Sequence, residues 1–274
     1  MSTVVTEPAS PGASSPADTA LLHVGQGHAA WVRICHWTAV VAVLCLLVSG
    51  WAMLMTNPRL YWGEVGNSLV PPLFELPVSR NYQHGGWSEP TPFFDTPGSP
   101  VTANRGYEIL NLNGWARSLH FLASWFLVAV GCAYLLAGLF SGHLARNLLP
   151  RPRDLAPRTL WADVASHLRL RIPRTTGGPP YGILQRCAYS LILFIVVPLI
   201  VLTGLTMSPT VTASYPLLLD LFGGYQSART LHFFGFAAVA LFLLVHLVMV
   251  VLSGAGRQLR AMTLGQQPGD RHGR

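Results

Sequence analysis

Residues 231–252 read LHFFGFAAVALFLLVHLVMVVL, twenty-two residues without a formal charge. A helix needs about 20 apolar residues to cross the roughly 30 Å hydrocarbon core of a bilayer, so this stretch is long enough to span one. Three further runs match it, at residues 34–55, 119–140 and 188–207. The glycines and the proline within them (Gly50, Gly131, Gly138, Pro198, Gly204) are acceptable in membrane helices, where neighbouring groups satisfy the backbone. Composition agrees. Only 11% of the 274 residues are charged and 51% are hydrophobic, whereas soluble globular chains carry about 25% charged residues. Mean hydropathy is +0.40. The expected fold is an all-α membrane protein, a bundle of four transmembrane helices.

The net charge is +7, and all eighteen basic residues are arginine. They gather in particular loops rather than along one helix face, which argues for membrane topology and against nucleic-acid binding. Residues 56–116 hold three arginines against five acidic residues; residues 141–184 hold seven against two; after residue 253 there are four against one. Arginine marks the cytoplasmic side. The 141–184 loop and both termini are therefore expected inside, and the long 56–116 loop outside. That outer loop is dense in aromatics (Tyr61, Trp62, Phe74, Tyr82, Trp87, Phe93, Phe94, Tyr107, Trp115), and it reads as a folded cap and docking surface for a partner. Residues 1–28, rich in Ser, Pro and Ala, read as a disordered cytoplasmic tail without the charged and apolar regions of a signal peptide. Residues 29–260 make the membrane domain and 261–274 a second cytoplasmic tail. The cysteines Cys35, Cys45, Cys132 and Cys187 form no CxxC or CxxCH pattern, so any haem should be bound without a covalent link.

Inside the hydrophobic runs lie four histidines, His36, His120, His232 and His246, and an ionisable residue at such depth is a functional hypothesis. His232 and His246 are fourteen positions apart. With a turn of about 100° and a rise of about 1.5 Å per residue, they share nearly one helix face and stand about 21 Å apart along the axis. His36, near the inner end of the first span, is level with His246; His120, near the outer end of the second, is level with His232. Two imidazoles at each of two depths suit the axial positions of a six-coordinate haem iron, whereas zinc asks for three or four ligands at one depth. Three of the histidines follow an arginine by three residues: Arg33-Ile-Cys-His36, Arg117-Ser-Leu-His120 and Arg229-Thr-Leu-His232. Arginines one turn closer to water can fork the propionates of haem. Gly50, fourteen positions after His36, leaves room at the outer level. His23, His28, His84, His143, His167 and His272 are read as solvated.

The Arg-x-x-His-Trp opening of the first span, the Arg-x-x-His of the second and the histidine pair on the fourth resemble the bacterial cytochrome b561 and nickel-hydrogenase cytochrome b superfamily, which is also similar to the formate dehydrogenase membrane subunit. Leu60-Tyr-Trp-Gly-Glu-Val-Gly66, Phe74-Glu-Leu-Pro77 and Asn81-Tyr-Gln-His-Gly-Gly-Trp87 look like the subgroup described as thiosulfate reductase cytochrome b. The resemblance covers residues 30–260. It implies two non-covalent haems b, ligated by His36 with His246 and by His120 with His232, and a quinone near one of them. It also implies an extracytoplasmic partner such as a molybdopterin oxidoreductase, in a bacterial inner membrane. Gln185, Arg186 and Tyr189, at the start of the third span and level with the inner pair, are the candidates for quinone contact. The competing readings are a stand-alone dihaem protein acting on superoxide or a small oxidant, and a haem-free proton or metal transporter. No inverted repeat with broken helices supports the transporter. The arginine bias makes a direct prediction: a fluorescent protein that matures only in the cytoplasm, fused after Arg260, should fluoresce. Alkaline phosphatase inserted within residues 79–112 should be active, and the reverse pattern would invert the topology.

Overall fold

In a computed structural model of the chain the described residues are 29–67, 69–78, 113–151, 155–168 and 182–265. Among them four helices are long and apolar enough to cross a membrane: α1 (Ala30–Thr56), α2 (Asn113–Phe140), α4 (Ile183–Thr206) and α7 (Tyr225–Leu252). Each begins before its uncharged run. The extra turns carry Arg33, Arg117, Arg186 and Arg229, which the search for apolar stretches leaves outside. Between the long helices lie a two-residue strand pair, β1 (Arg59–Leu60) with β2 (Phe74–Glu75), and the shorter helices α3 (Pro157–Leu168), α5 (Pro209–Ser214) and α6 (Leu217–Phe222). α8 (Ala255–Thr263) follows α7. The tail 1–28, the last nine residues, and the loop aromatics Tyr82, Trp87, Phe93, Phe94 and Tyr107 lie outside the described residues. Large apolar side chains stay exposed along the spans, among them Val41, Leu44 and Val48 on α1, Trp125 and Phe126 on α2, and Leu241 and Leu244 on α7. Such a surface needs lipid to cover it.

The chain divides into two units, Ile34–Met249 and a second made of Met1–Arg33 with Val250–Arg274. In the second, Gly254 takes φ +96° and ends α7, and Arg33 Nη1 donates to the Thr263 carbonyl at 3.3 Å.

In the first unit, residues 57–64 lie against the N-terminus of α7. The opening N–H groups of a helix have no partner within it, and here the loop supplies them. Gln226 and Ser227 donate to the Gly63 carbonyl at 2.9 and 3.2 Å, and Tyr225 donates to the Glu64 carboxylate at 3.2 Å, an acidic group at the positive end of the helix dipole. In return Gly63 N–H donates to Ser227 Oγ at 2.7 Å and Thr230 Oγ1 to the Tyr61 carbonyl at 2.6 Å. Arg229 donates to the carbonyls of Asn57 and Arg59. Leu60, Tyr61, Ser227 and Thr230 are accordingly buried. A similar cap serves α4, whose Leu184 N–H donates to the Asp163 carboxylate of α3 at 2.9 Å and whose Gly182 N–H donates to Gln185 Oε1 at 3.2 Å.

Comparing the helices with one another reveals an internal repeat. Ala116-Arg-Ser-Leu-His-Phe121 at the start of α2 returns as Ala228-Arg-Thr-Leu-His-Phe233 in α7, and Ser141-Gly142 after α2 returns as Ser253-Gly254 after α7. Both of these glycines have positive φ, +67° and +96°, and α2 and α7 each span 28 residues. Ser49-Gly50 near the end of α1 is matched by Thr203-Gly204 in α4. The hairpins α1–α2 and α4–α7 thus follow one plan. α4 differs by a wider turn at Ile192–Val196, where Val197 N–H reaches back five residues to Ile192 O. That turn takes up one additional residue: fourteen positions separate Tyr189 from Thr203, against thirteen from His36 to Ser49.

Gly224 carries the closest approach in the loop-to-helix seam. Its φ is +109°, and a Cβ there would stand 2.6 Å from the Gly63 carbonyl. Gly224→Ala should cost about 1–3 kcal/mol, read as a lower thermal midpoint by circular dichroism in detergent. Gly131→Ala, where a Cβ meets nothing within 4 Å, should stay within about 0.5 kcal/mol.

Candidate functional site

His120 lies in the second turn of α2 and His232 in the second turn of α7, as the repeat requires, and their ring centroids are 6.1 Å apart with planes inclined by 55°. His36, in the second turn of α1, and His246, towards the end of α7, have centroids 6.5 Å apart at 52°. These distances have a chemical meaning. An imidazole nitrogen is about 1 Å from its ring centre and binds a transition metal at about 2 Å. Two rings coordinating opposite sides of one ion therefore have centroids about 6 Å apart. Both pairs fit a single ion between them. Among the described residues no group of three or more His, Cys, Asp and Glu side chains gathers where it could hold a metal, so the donor set comes in twos, which suits a haem iron better than zinc.

The His120–His232 pair is oriented by hydroxyls on the neighbouring helices. Ser49 Oγ donates to the Cys45 carbonyl at 2.6 Å, so its lone pairs face the His120 Nδ1–H, 3.0 Å away. Thr203 Oγ1 donates to the Leu199 carbonyl at 2.7 Å and lies 3.1 Å from His232 Nδ1, which also has the Ile200 carbonyl at 3.0 Å. Both rings thereby carry the proton on Nδ1 and leave Nε2 as the lone-pair atom, the arrangement expected of a metal-binding imidazole. The next residue is glycine in each case. A Cβ on Gly50 would lie 3.5 Å from His120 Cε1, and one on Gly204 3.4 Å from His232 Cε1. At the His36–His246 pair, Phe242 stacks on His246 with centroids 5.9 Å apart at 18°, and Tyr189 meets Phe242 edge-on at 5.9 Å.

The other residues singled out by sequence are placed as follows. Arg229, one turn before His232, donates to the carbonyls of Asn57 and Arg59 and to Gln226 Oε1. The buried phenol oxygen of Tyr61, on the same loop, has no hydrogen-bond partner among the described residues, an orphan of the kind that a bound carboxylate would satisfy. Arg117 is exposed. Arg33 belongs to the other unit and bonds to Thr263. Arg186 is the largest of the fully buried side chains and donates to the Leu149 carbonyl, while Gln185 closes the first turn of α4. Arg186 thus ties α4 to the segment before α3, Gln185 serves the cap of α4 itself, and the Tyr189 ring meets Phe242 beside His246. Sequence reasoning misses Ser49, Thr203, Gly204 and Phe242. The repeated Ser/Thr-Gly dipeptide, found by laying one hairpin over the other, is the signal that gives the first three.

Residues 27–265 match the family described as prokaryotic cytochrome b561. The chain is also similar to a curated relative from Azospira oryzae described as putative protein-methionine-sulfoxide reductase subunit YedZ1. The two are 32% identical over 238 residues, 87% of this chain and 96% of the relative. No solved structure gives a significant match. With four membrane-spanning helices and a match over most of its length, the chain belongs to the prokaryotic cytochrome b561 family of multi-pass membrane proteins that carry electrons with b-type haem.

Proposed function

We propose that the protein holds two haems b, the outer between His120 and His232 and the inner between His36 and His246, and that it conducts electrons between the quinone pool and an extracytoplasmic redox partner. The observation that carries this reading is the pair of imidazole spacings, 6.1 and 6.5 Å, on one four-helix scaffold. When bound, haem supplies a reversible one-electron iron couple and a conjugated ring that shortens the distance an electron must cover. The chain does the rest. The four imidazoles would hold the two irons, Ser49 and Thr203 leave Nε2 as the free ring nitrogen of His120 and His232, and the apolar spans exclude water. Arg33, Arg117 and Arg229 lie one turn nearer the membrane surface than His36, His120 and His232, at a level where guanidinium meets a propionate carboxylate. The Tyr61 phenol is a further donor at the outer level.

Both termini and the 141–184 loop face the cytoplasm of a bacterial inner membrane, by the arginine count, and the partner docks on the outer loop. The Azospira relative is described as a subunit of a protein-methionine-sulfoxide reductase. An oxidoreductase of that kind, with a molybdopterin centre, is the partner proposed here, and electrons then run outward from quinol. Quinone meets the inner level beside Tyr189, where the Tyr189–Phe242–His246 ring series leads to the inner pair.

Pyridine-haemochrome analysis of the purified protein should give two haems b per chain. His232→Ala should lose one and keep the other, with an unaltered His36–His246 spectrum. A wild-type protein without haem, purified from cells supplied with haem precursor, would overturn the reading.

A further inference from the structure

Beyond ligation, the structure assigns a separate role to two hydroxyls: we propose that Ser49 and Thr203 are positioning residues that set the reduction potential of the outer iron through the Nδ1–H of its two axial histidines. The inference rests on the dihaem reading above and extends it to residues that touch no iron.

Four observations lead there. Each hydroxyl is committed as a donor to a helix carbonyl, Ser49 to Cys45 at 2.6 Å and Thr203 to Leu199 at 2.7 Å. Each is therefore an acceptor towards the imidazole, at 3.0 and 3.1 Å. Both side chains are wholly buried, so water cannot replace them. The device also occurs twice, in the same place on both hairpins and followed both times by a glycine that packs against the ring. An isolated serine in a membrane helix is ordinarily satisfied by the carbonyl four residues back. That accounts for the Cys45 and Leu199 bonds and leaves the direction of the second lone pair unexplained. The imidazole explains it.

The physical effect has a sign. A hydrogen bond accepted from Nδ1–H draws the proton away from the ring, makes Nε2 a stronger donor and favours the ferric ion, which lowers the potential. The two histidines are not equally dependent on their hydroxyls. His232 Nδ1 also has the Ile200 carbonyl at 3.0 Å, whereas His120 Nδ1 meets Ser49 Oγ at 3.0 Å. Removing Ser49 should accordingly have the larger consequence.

Potentiometric titration of the purified protein, followed by optical and electron paramagnetic resonance spectra, tests this. The wave absent from His232→Ala identifies the outer centre. Ser49→Ala should move that wave upward and shift the low-field ferric signal, with two haems still bound. Thr203→Val should move it less, because Ile200 still accepts, and Ser49→Thr should leave it at the wild-type value. The inner wave should not move in any of them. Loss of the outer haem in Ser49→Ala with retention in Ser49→Thr supports the same role, since the two variants differ chiefly in the hydroxyl. Two haems bound with an unmoved outer wave in Ser49→Ala would overturn the proposal while leaving the dihaem reading intact, as would a shift in Ser49→Thr equal to that in Ser49→Ala. Fewer than two haems in the wild type would overturn both.

Discussion

Within hydrocarbon a polar atom has no water to fall back on, and an unpaired donor or acceptor there costs several kcal/mol. That constraint organises the structure. The Nδ1–H groups of His120 and His232 are held by buried hydroxyls and a carbonyl on adjacent helices. Those hydroxyls are in turn held by the backbone four residues behind them. What remains on each of these two rings is Nε2 with its lone pair. Those lone pairs are what is left after every other polar atom of the two rings has been paired, which is how a helix bundle can hold imidazoles in register before any ion ties them.

The same economy governs the helix ends. α7 begins beneath residues 57–64, whose carbonyls and the Glu64 carboxylate take up its opening N–H groups, and Arg229 is fastened to the same strip. The loop that a partner is proposed to meet is thus bonded to the turn directly above His232. About two turns of α7 separate that strip from the ring. Arg186 plays the corresponding part at the start of α4, where its buried guanidinium bonds to the Leu149 carbonyl and Ser190 reaches the Leu148 carbonyl at 3.3 Å.

Much of this can be read from the chain because hydrophobicity and helical geometry act locally. The four spans follow from uncharged runs, and the levels of the histidines follow from the fixed rise per residue of an α-helix. The fourteen positions between His232 and His246 leave little freedom. Hydropathy sets the starts of the helices too late, because Arg117 and Arg229 interrupt the apolar run without interrupting the helix. Arginine at a span's edge reads as a propionate partner or a topology mark. The bonds that Arg186 and Arg229 make to distant carbonyls depend on loop paths, which no periodicity encodes. Ser49 and Thr203 escape for a related reason: serine and threonine are common in membrane helices, and only the meeting with a ring from another helix gives them a role.

The wider turn at Ile192–Val196 bears on why both hairpins are needed in one chain. With the extra residue absorbed there, Tyr189 occupies in the second hairpin the station that His36 holds in the first. Tyr134, fourteen positions after His120, occupies the station of His246. Two copies of the first hairpin would set histidine against tyrosine at the level of His36 and His246, and so would two copies of the second, although either assembly would keep a histidine pair at the level of His120 and His232. The halves share a plan and are not interchangeable. Only the two different halves together bring imidazoles close at both levels, so the repeat is a heterodimer-like pair written as a single polypeptide.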